Sequence, residues 1–282
     1  MATAACTESN GASDGGSRSI LSADYPLPVV ESDQPELPAT VTDASETSVT
    51  VSDASRIVVL NQAVAEIVIS LGMKENIIGR DATTTLEALQ AVEKVSNGHD
   101  VSAESVLSLR PTVVIGDTRT GPPEAIEQLR GAGISVVIAP EVWTLSALPA
   151  RVTMIASALG VPKAGERLVA LSENAIDDAL KNVGAANSAL RVAFLYVRGT
   201  ASVYLLGGEG SGADELIAAA GGVDVGALNG LAAFTPLTAE AIVQADPDVL
   251  LVMTRGLESV GDRKSTRLNS SHSSVSRMPS SA

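Results

Sequence analysis

Residues 102–116, SAESVLSLRPTVVIG, and residues 238–252, TAEAIVQADPDVLLV, share the pattern that decides the fold. Each segment begins with a hydroxyl residue, an alanine and a glutamate, and reaches a proline just before or within a β-rich apolar run. The hydroxyl residue and the early glutamate favour the start of a helix, and the proline ends that helix before a buried strand. Two in-register copies of one helix–strand element predict two related lobes.

The rest of the central sequence has the same alternation of strands and helices. Short apolar runs alternate with amphipathic segments through residues 55–143, which predicts an α/β lobe with a parallel sheet covered on both faces. Residues 144–188 are helical in period without a strand, interrupted at Val161-Pro162, which predicts a long helical connector, a connecting helix between the lobes. The alternating run LRVAFLYVRG at 190–199 then opens a second α/β lobe, expected over residues 189–261.

The two ends of the chain differ from its centre. Residues 1–50 are rich in Ser, Thr, Ala, Asp and Glu, which predicts a flexible tether. The opening MATAAC resembles the end of a bacterial lipoprotein signal and marks Cys6 for lipidation, although an ordinary exposed cysteine is the alternative. Residues 262–282 are serine-rich and resemble a translated sequencing adapter. We expect a foreign or disordered tail there, no role for His272, and a truncated second lobe.

Composition restricts the function. The chain has 282 residues and a net charge of −14, which argues against nucleic acid or an anionic membrane surface as a partner. The single cysteine excludes an internal disulfide. No apolar run approaches the roughly 20 residues that span a bilayer. The sequence also contains no phosphate-binding glycine loop after the first strand, no GxSxG and no HExxH, so it predicts a binding protein rather than an enzyme.

Three residues are candidates for binding chemistry. Tyr196 and Arg198 lie two positions apart on one predicted strand, so both face the same side near its carboxyl end, where open α/β sheets bind ligands. A guanidinium beside a phenol favours the phenolate, and phenolate and imidazole both bind iron. If the lobes face each other, His99 and Tyr196 can hold opposite faces of a haem. The alternatives are a loop-capping histidine and a packing tyrosine.

Glu104 and Glu240 occupy equivalent places in the two repeated helices. They are either exposed acids that contact a partner, one on each lobe, or complements of the helix dipole worth about 0.3–1 kcal/mol. The repeat alone leaves both interpretations open.

Four segments carry a family resemblance. RIVVLNQAVAEIVISLG, SAESVLSLRPTVVIGD, PPEAIEQLRGAGISVVIAP and TAEAIVQADPDVLLV resemble substrate-binding proteins of the helical-backbone class, which serve ABC importers for haem, cobalamin and ferric siderophores. The resemblance covers about residues 55–260 and is closest to the actinobacterial haemin-uptake binding lipoproteins. It implies two Rossmann-like α/β lobes joined by a long rigid helix, with the ligand bound in the cleft between them.

The resemblance also implies roles for individual residues. The segment NGHD makes His99 one axial ligand of haem iron, and YVRG makes Tyr196 the other, with Arg198 hydrogen-bonded to that tyrosine. Glu104 and Glu240 become docking residues that pair with arginines of the permease. The expected protein is an extracytoplasmic, lipid-anchored monomer that carries haem to an ABC importer. A cobalamin- or ferric-siderophore-binding protein of the same fold is the alternative, and a doubly wound enzyme domain is a remote one.

Overall fold

The computed structural model describes residues 27–97, 100–183, 189–260 and 273–277. The strands and helices of the N-terminal lobe are, in chain order, β1 (Ala39–Thr42), β2 (Ser48–Val51), β3 (Ile57–Val59), α1 (Gln62–Ser70), β4 (Ile77–Arg80), β5 (Glu93–Lys94), β6 (Ser96–Asn97), β7 (Asp100–Val101), α2 (Ala103–Ser108), β8 (Val113–Asp117), α3 (Pro123–Gly131), β9 (Ser135–Ala139) and α4 (Leu148–Ala158). Short 3-10 helices lie at Lys74–Asn76, Glu87–Leu89 and Leu145–Ala147.

The N-terminal sheet is parallel throughout, as the sequence predicts. Its strand order is β5-β4-β3-β8-β9, and β3 and β8 are buried along their whole length. One face packs against α1 and α4, together with the helix that follows α4, and the opposite face packs against α2 and α3. Because both faces are covered, the strands are continuous apolar runs rather than alternating ones.

Residues 27–51 belong to this lobe, whereas the sequence predicts a flexible tether through residue 50. β1 and β2 form an antiparallel hairpin whose Val49 and Val51 point into the core. Upstream of the hairpin, the Val30 N–H donates to the Ser70 carbonyl at 2.8 Å. Residues 1–26, including Cys6, lie outside the described residues, so the tether there stays a prediction.

Two glycines let the N-terminal arm lie against the helices. Gly72 and Gly160 have φ values of +78° and +74°, which favour glycine. A Cβ added to Gly72 would lie 2.9 Å from the Ser32 Cβ, and one added to Gly160 would lie 2.8 Å from the Glu36 carbonyl oxygen. The arm packs largely through its backbone. Its polar side chains therefore do not reveal this packing in the sequence.

The helical connector consists of two helices, divided at the interruption that the sequence shows at Val161 and Pro162. α4 is followed by α5 (Pro162–Lys181), and Pro162 occupies the first turn of α5 after the break at Gly160. α4 packs within the N-terminal lobe against α1 and the β1–β2 hairpin, and the 20-residue α5 packs against α4. None of the helices in the described residues combines the length and apolar character needed to cross a membrane.

The C-terminal lobe contains a mixed sheet. Its strands and helices are β10 (Arg191–Arg198), β11 (Val203–Gly207), α6 (Ala213–Ala219), β12 (Val223–Asp224), α7 (Val225–Leu228), β13 (Phe234–Pro236), α8 (Ala239–Ala245), β14 (Val249–Met253), α9 (Thr254–Ser259) and β15 (Ser273–Arg277), with a 3-10 helix at Gly199–Ala201. The strand order is β13-β11-β10-β14-β15. β10 is parallel to β14 and to β12, whereas β11, β13 and β15 each pair antiparallel to their neighbours.

β15 lies inside the segment that the sequence predicts to be a foreign or disordered tail. Its backbone pairs with β14 from Met253 to Val249 as an edge strand. The remainder of residues 262–282 lies outside the described residues, and the foreign origin of the segment stays a prediction.

The second lobe buries less apolar surface than the first. Its core consists of six buried residues, whereas one face of the N-terminal sheet alone packs a much larger cluster. Leu216, Leu228 and Val243 are exposed, Val243 by 79%. Because hydrophobic stabilisation scales with buried apolar area, we expect the second lobe to be the less stable one.

Asp43 fastens the β1–β2 hairpin to the lobe. Its Oδ1 accepts hydrogen bonds from the Ser45 N–H (2.9 Å), the Ser45 hydroxyl (2.6 Å) and the Thr47 N–H (3.1 Å). Its Oδ2 accepts from the Ile138 N–H at 3.1 Å and from Arg130 Nη2 at 3.3 Å. Burial acts to raise the pKa of Asp43, but these hydrogen bonds outweigh it and hold the pKa below the usual 3.8. The charged form therefore stabilises the fold.

Replacing Asp43 by Asn should lower the free energy of unfolding at neutral pH by about 2–3 kcal/mol, because an amide cannot accept all of these donors. Since the pKa is depressed in the folded state, the stabilisation is complete above about pH 4 and is lost as the pH falls through the folded-state pKa. Denaturant unfolding of both proteins at several pH values measures this, and the difference between them should shrink in acid. The exposed Asp53→Asn serves as control, and an equal loss in both variants would contradict the assignment.

Candidate functional site

The carboxyl ends of β3 and β8 form a polar edge. β3 is followed shortly by Asn61, which caps α1 by accepting hydrogen bonds from the Ala63 and Val64 N–H groups. β8 ends at Asp117, whose Oδ2 accepts from Asn61 Nδ2 at 2.7 Å. In the sheet, β4 and β5 lie on one side of β3, and β8 and β9 lie on its other side. Open α/β sheets bind ligands where the strand order reverses in this way.

Arg151 on α4 lies buried beside these two residues. Its Nη2 is 3.9 Å from Asp117 Oδ2 and 3.4 Å from Asn61 Oδ1. Burial lowers the pKa of the Arg151 guanidinium, and the Asp117 carboxylate opposes that effect. Within the described part of the chain, the buried Nε has no hydrogen-bond partner. Leaving a buried donor unpaired costs about 1–3 kcal/mol, so this position favours an acceptor supplied from outside.

A second polar cluster lies at the same edge. Glu141 accepts hydrogen bonds from the Thr118 hydroxyl and from Trp143 Nε1, both at 2.6 Å. Arg119 Nε lies 3.4 Å from the Glu141 carboxylate, and the Arg119 guanidinium carbon lies 5.3 Å from the centre of the Trp143 ring. The Thr118 hydrogen bond lowers the pKa of Glu141 below its usual 4.5; burial opposes this, while Trp143 and Arg119 reinforce it.

Trp143 also marks the junction between the lobes. A Cβ added to Gly212 would lie 3.3 Å from the Trp143 carbonyl oxygen and 3.4 Å from its ring. Nearby, the Leu145 N–H donates to Glu215 Oε2 at 2.6 Å. A cavity of about 460 Å³ lies between the lobes here, and its apolar lining includes Trp143, Leu145, Phe194, Leu216, Leu251 and Met253.

The structure places Tyr196 and Arg198 on one face of β10, as the sequence predicts. Burial alternates along the strand, with Ala193, Leu195 and Val197 in the core and the two candidate residues on the opposite face. The Tyr196 ring contacts Phe234 edge-on with centroids 5.7 Å apart. Among the hydrogen bonds of the described residues, none joins Tyr196 to Arg198. The two side chains therefore share a face of β10 but are not hydrogen-bonded to each other.

His99 lies outside the described residues, so its role as a ligand stays a prediction. The strands on either side of it, β6 and β7, pair antiparallel. They are held at the carboxyl edge of the N-terminal sheet, because the Val101 N–H donates to the Gly121 carbonyl at 2.8 Å and the Ser96 hydroxyl donates to Asp81 at 3.1 Å. Gly121 is part of the loop that carries Arg119.

Glu104 and Glu240 have the equivalent environments that the repeat predicts. Ser102 caps α2 by accepting from the Ser105 N–H, and Thr238 caps α8 by accepting from the Ala241 N–H. Both glutamates lie in the first turn and are exposed. They belong to different lobes, and their role in docking remains untested by this geometry.

The polar cluster around Arg119 was not anticipated from the sequence. Arg119 and Glu141 lie in loops of ordinary composition, and Arg151 lies within a helix of weak amphipathic pattern. The one available signal was Trp143, because it is the single tryptophan in a chain with 2% aromatic residues. Among the described residues, no group of three or more His, Cys, Asp or Glu side chains is arranged to hold a metal ion.

The fold and this cleft define a substrate-binding protein with two lobes. Residues 57–272 match the family described as "Periplasmic binding protein", and the chain belongs to that family. Two of the solved structures that resemble it are haem-binding proteins.

The crystal structure of the haem-binding protein HmuT is 37% identical, with a TM-score of 0.76, over 83% of this chain and 78% of that one. The periplasmic haem-binding protein RhuT from Roseiflexus sp. RS-1, in its apo form, is 41% identical with a TM-score of 0.70, over 74% of this chain and 80% of that one.

A curated relative adds a sequence match. The uncharacterized ABC transporter substrate-binding lipoprotein YvrC of Bacillus subtilis (strain 168) is 30% identical over 125 residues, or 43% of this chain. That match spans about 40% of the relative's own length.

Protonation of Glu141 should change the environment of Trp143, because the indole N–H loses its charged acceptor. Since the pKa of Glu141 lies below 4.5, the emission maximum of Trp143 is expected to shift only at a pH lower than that value. Fluorescence titration of the single tryptophan measures the step, with circular dichroism at each pH as the control for unfolding. Glu141→Gln should abolish the step, and a variant that titrates like the wild type would exclude Glu141 as its source.

Proposed function

We propose that this protein captures haem in the cleft between its lobes and delivers it to the permease of an ABC importer. The observation that carries the proposal is Tyr196, followed two residues later by Arg198 on one face of β10, in a fold that resembles haem-binding proteins over most of the chain. The protein would bind and release its ligand without chemical conversion.

The two proposed axial ligands are His99 and Tyr196. A phenolate is a hard ligand suited to iron(III), and an imidazole also binds haem iron well. Arg198, on the same face as Tyr196, would stabilise the phenolate in the haem complex. Three further structures of HmuT carry single alanine substitutions of a histidine, a tyrosine and an arginine, and the last two residues are separated by one position, as Tyr196 and Arg198 are.

The N–H donors of the arginines at the cleft edge would suit an anionic ligand, although Glu66, Asp117 and Glu141 lie beside them. Arg119 and Arg151 present guanidinium groups near the lobe junction, in addition to Arg198. Cobalamin lacks free carboxylates and is disfavoured by this arrangement. A ferric siderophore of the same family remains the second candidate, because its anionic chelate would also suit these arginines.

The proposed cellular setting follows from Cys6 and the exposed glutamates. Lipidation of Cys6 after cleavage of the preceding residues would anchor a monomer outside the cytoplasm, with the residues that follow Cys6 as a tether. Glu104 and Glu240 would each pair with arginines of the permease, one per lobe. Interfacial charge pairs of this kind contribute orientation and association rate more than affinity.

His99→Ala and Tyr196→Phe should each weaken hemin binding by at least about tenfold, because each removes one iron ligand. A hemin titration followed in the Soret region measures affinity and the change in coordination, with cobalamin and a ferric siderophore titrated in parallel. Tyr204→Phe is the matched control, since Tyr204 pairs with Val197 and so lies on the opposite face of the sheet from Tyr196. Unchanged spectra in both ligand variants would refute the axial assignment.

Combined Glu104→Ala and Glu240→Ala substitution should abolish haem uptake while leaving the hemin affinity unchanged, because both acids are exposed and neither lines the two cavities at the lobe junction. Uptake by cells expressing the importer and titration of the purified protein separate the two effects. Glu75→Ala with Glu258→Ala removes two other exposed acids, one per lobe, and should leave uptake intact. Loss of hemin binding in the first pair would show that those acids are structural.

A further inference from the structure

Two adjoining cavities at the lobe junction differ in polarity. The inter-lobe cavity is mainly apolar and includes Trp143 and Phe194. The neighbouring cavity, of about 410 Å³, lies between α1, α4 and α5 and shares Val142 and Leu148 with the first. Its polar lining includes Arg119, Arg151, Asn61 and Glu66. A ligand that extends from one cavity into the other would therefore meet an apolar wall and then a polar recess.

The carboxylates around this recess are already satisfied by uncharged donors. Asp117 accepts hydrogen bonds from Asn61 Nδ2, from the backbone N–H of Arg119 and from the Thr120 hydroxyl. Glu141 accepts from the Thr118 hydroxyl and the Trp143 indole, and Glu66 accepts from Gln62 Nε2 at 3.0 Å. The acids therefore do not use up the hydrogen-bonding capacity of the arginines.

Both guanidinium groups have N–H donors that make only long contacts or none among the described residues. The Arg151 side chain is 94% buried, yet its Nε has no partner among the described residues and its Nη2 contacts are 3.4 Å or longer. Arg119 approaches Glu141 only at 3.4 Å, which is longer than the roughly 2.7–2.9 Å of a charge-assisted hydrogen bond. Its position over the Trp143 ring holds the guanidinium at the cavity without consuming its donors.

The loop beside the recess also contacts the residue that follows His99 in the chain. The loop that carries Arg119 continues to Gly121, which bridges to Asp100, and the Gly121 carbonyl accepts from the Val101 N–H. Asp100 directly follows His99. A ligand held by His99 would therefore have its periphery close to the Arg119 loop.

We propose that Arg119, supported by Arg151, binds a propionate carboxylate of the haem. This inference rests on the proposed function and deepens it by naming the group that selects a carboxylate-bearing tetrapyrrole. A guanidinium presents paired N–H donors that match the two oxygens of a carboxylate. The carboxylate would also supply the acceptor that the buried Arg151 Nε lacks.

The test compares hemin with hemin dimethyl ester, which has the same macrocycle and iron but no free carboxylates. Both ligands are titrated into the full chain and into Arg119→Gln. The wild type should bind hemin more tightly than the ester, and Arg119→Gln should weaken hemin binding about tenfold, equivalent to about 1.4 kcal/mol, with little change for the ester. Arg119→Lys should fall between them, since it keeps the charge but loses the paired donors.

Lys74→Gln is the matched control, because it removes one exposed positive charge at the opposite end of β4 from the cleft. It should leave both affinities unchanged. If Arg119→Gln binds hemin and the ester as the wild type does, the proposal is overturned while haem binding itself stands. If the wild type binds neither ligand, both the proposed function and this inference fail. Arg151 is left unchanged in the deciding variant because its burial makes a folding defect the expected result of its removal.

Discussion

The parallel pairing of β3 with β8 is the constraint on which the binding edge depends. It brings Asn61 and Asp117 to the same end of the sheet, although 56 residues separate them in the sequence. Asn61 then caps α1, and Asp117 orders the loop that carries Arg119. One backbone pairing thus brings together the start of a helix and the loop that carries Arg119.

The electrostatics of this edge follow from the way in which its acids are satisfied. Hydroxyl, amide and indole groups donate hydrogen bonds to the carboxylate oxygens of Asp117 and Glu141. The nearby guanidinium groups make only long contacts with these acids. Such an arrangement costs stability in the unliganded protein, because the buried Arg151 Nε finds no acceptor within the part of the chain that the structure describes. A protein that must bind and later release an anion benefits from donors that are ordered in advance but not already engaged.

Much of the fold was predictable because local signals agree with the tertiary structure. The hydroxyl caps Ser102 and Thr238, the prolines that end the repeated helices and the apolar runs of β3 and β8 all favour the elements that form. The β1–β2 hairpin and the arm before it were missed. Their packing relies on backbone hydrogen bonds, on Gly72 and Gly160, which follow α1 and α4, and on the buried Asp43. None of these features produces hydrophobic periodicity.

Local sequence patterns were enough to predict the two α/β lobes, the equivalent glutamates at the starts of α2 and α8, and the common face of Tyr196 and Arg198. Each of these depends on residues close together in the chain, where helical and strand periods fix which side chains share a face. Only the tertiary structure decided that Arg119, Glu141, Trp143 and Arg151 meet at the lobe junction. These residues come from different loops and a helix, and their approach is set by strand order and lobe packing, which local sequence does not encode.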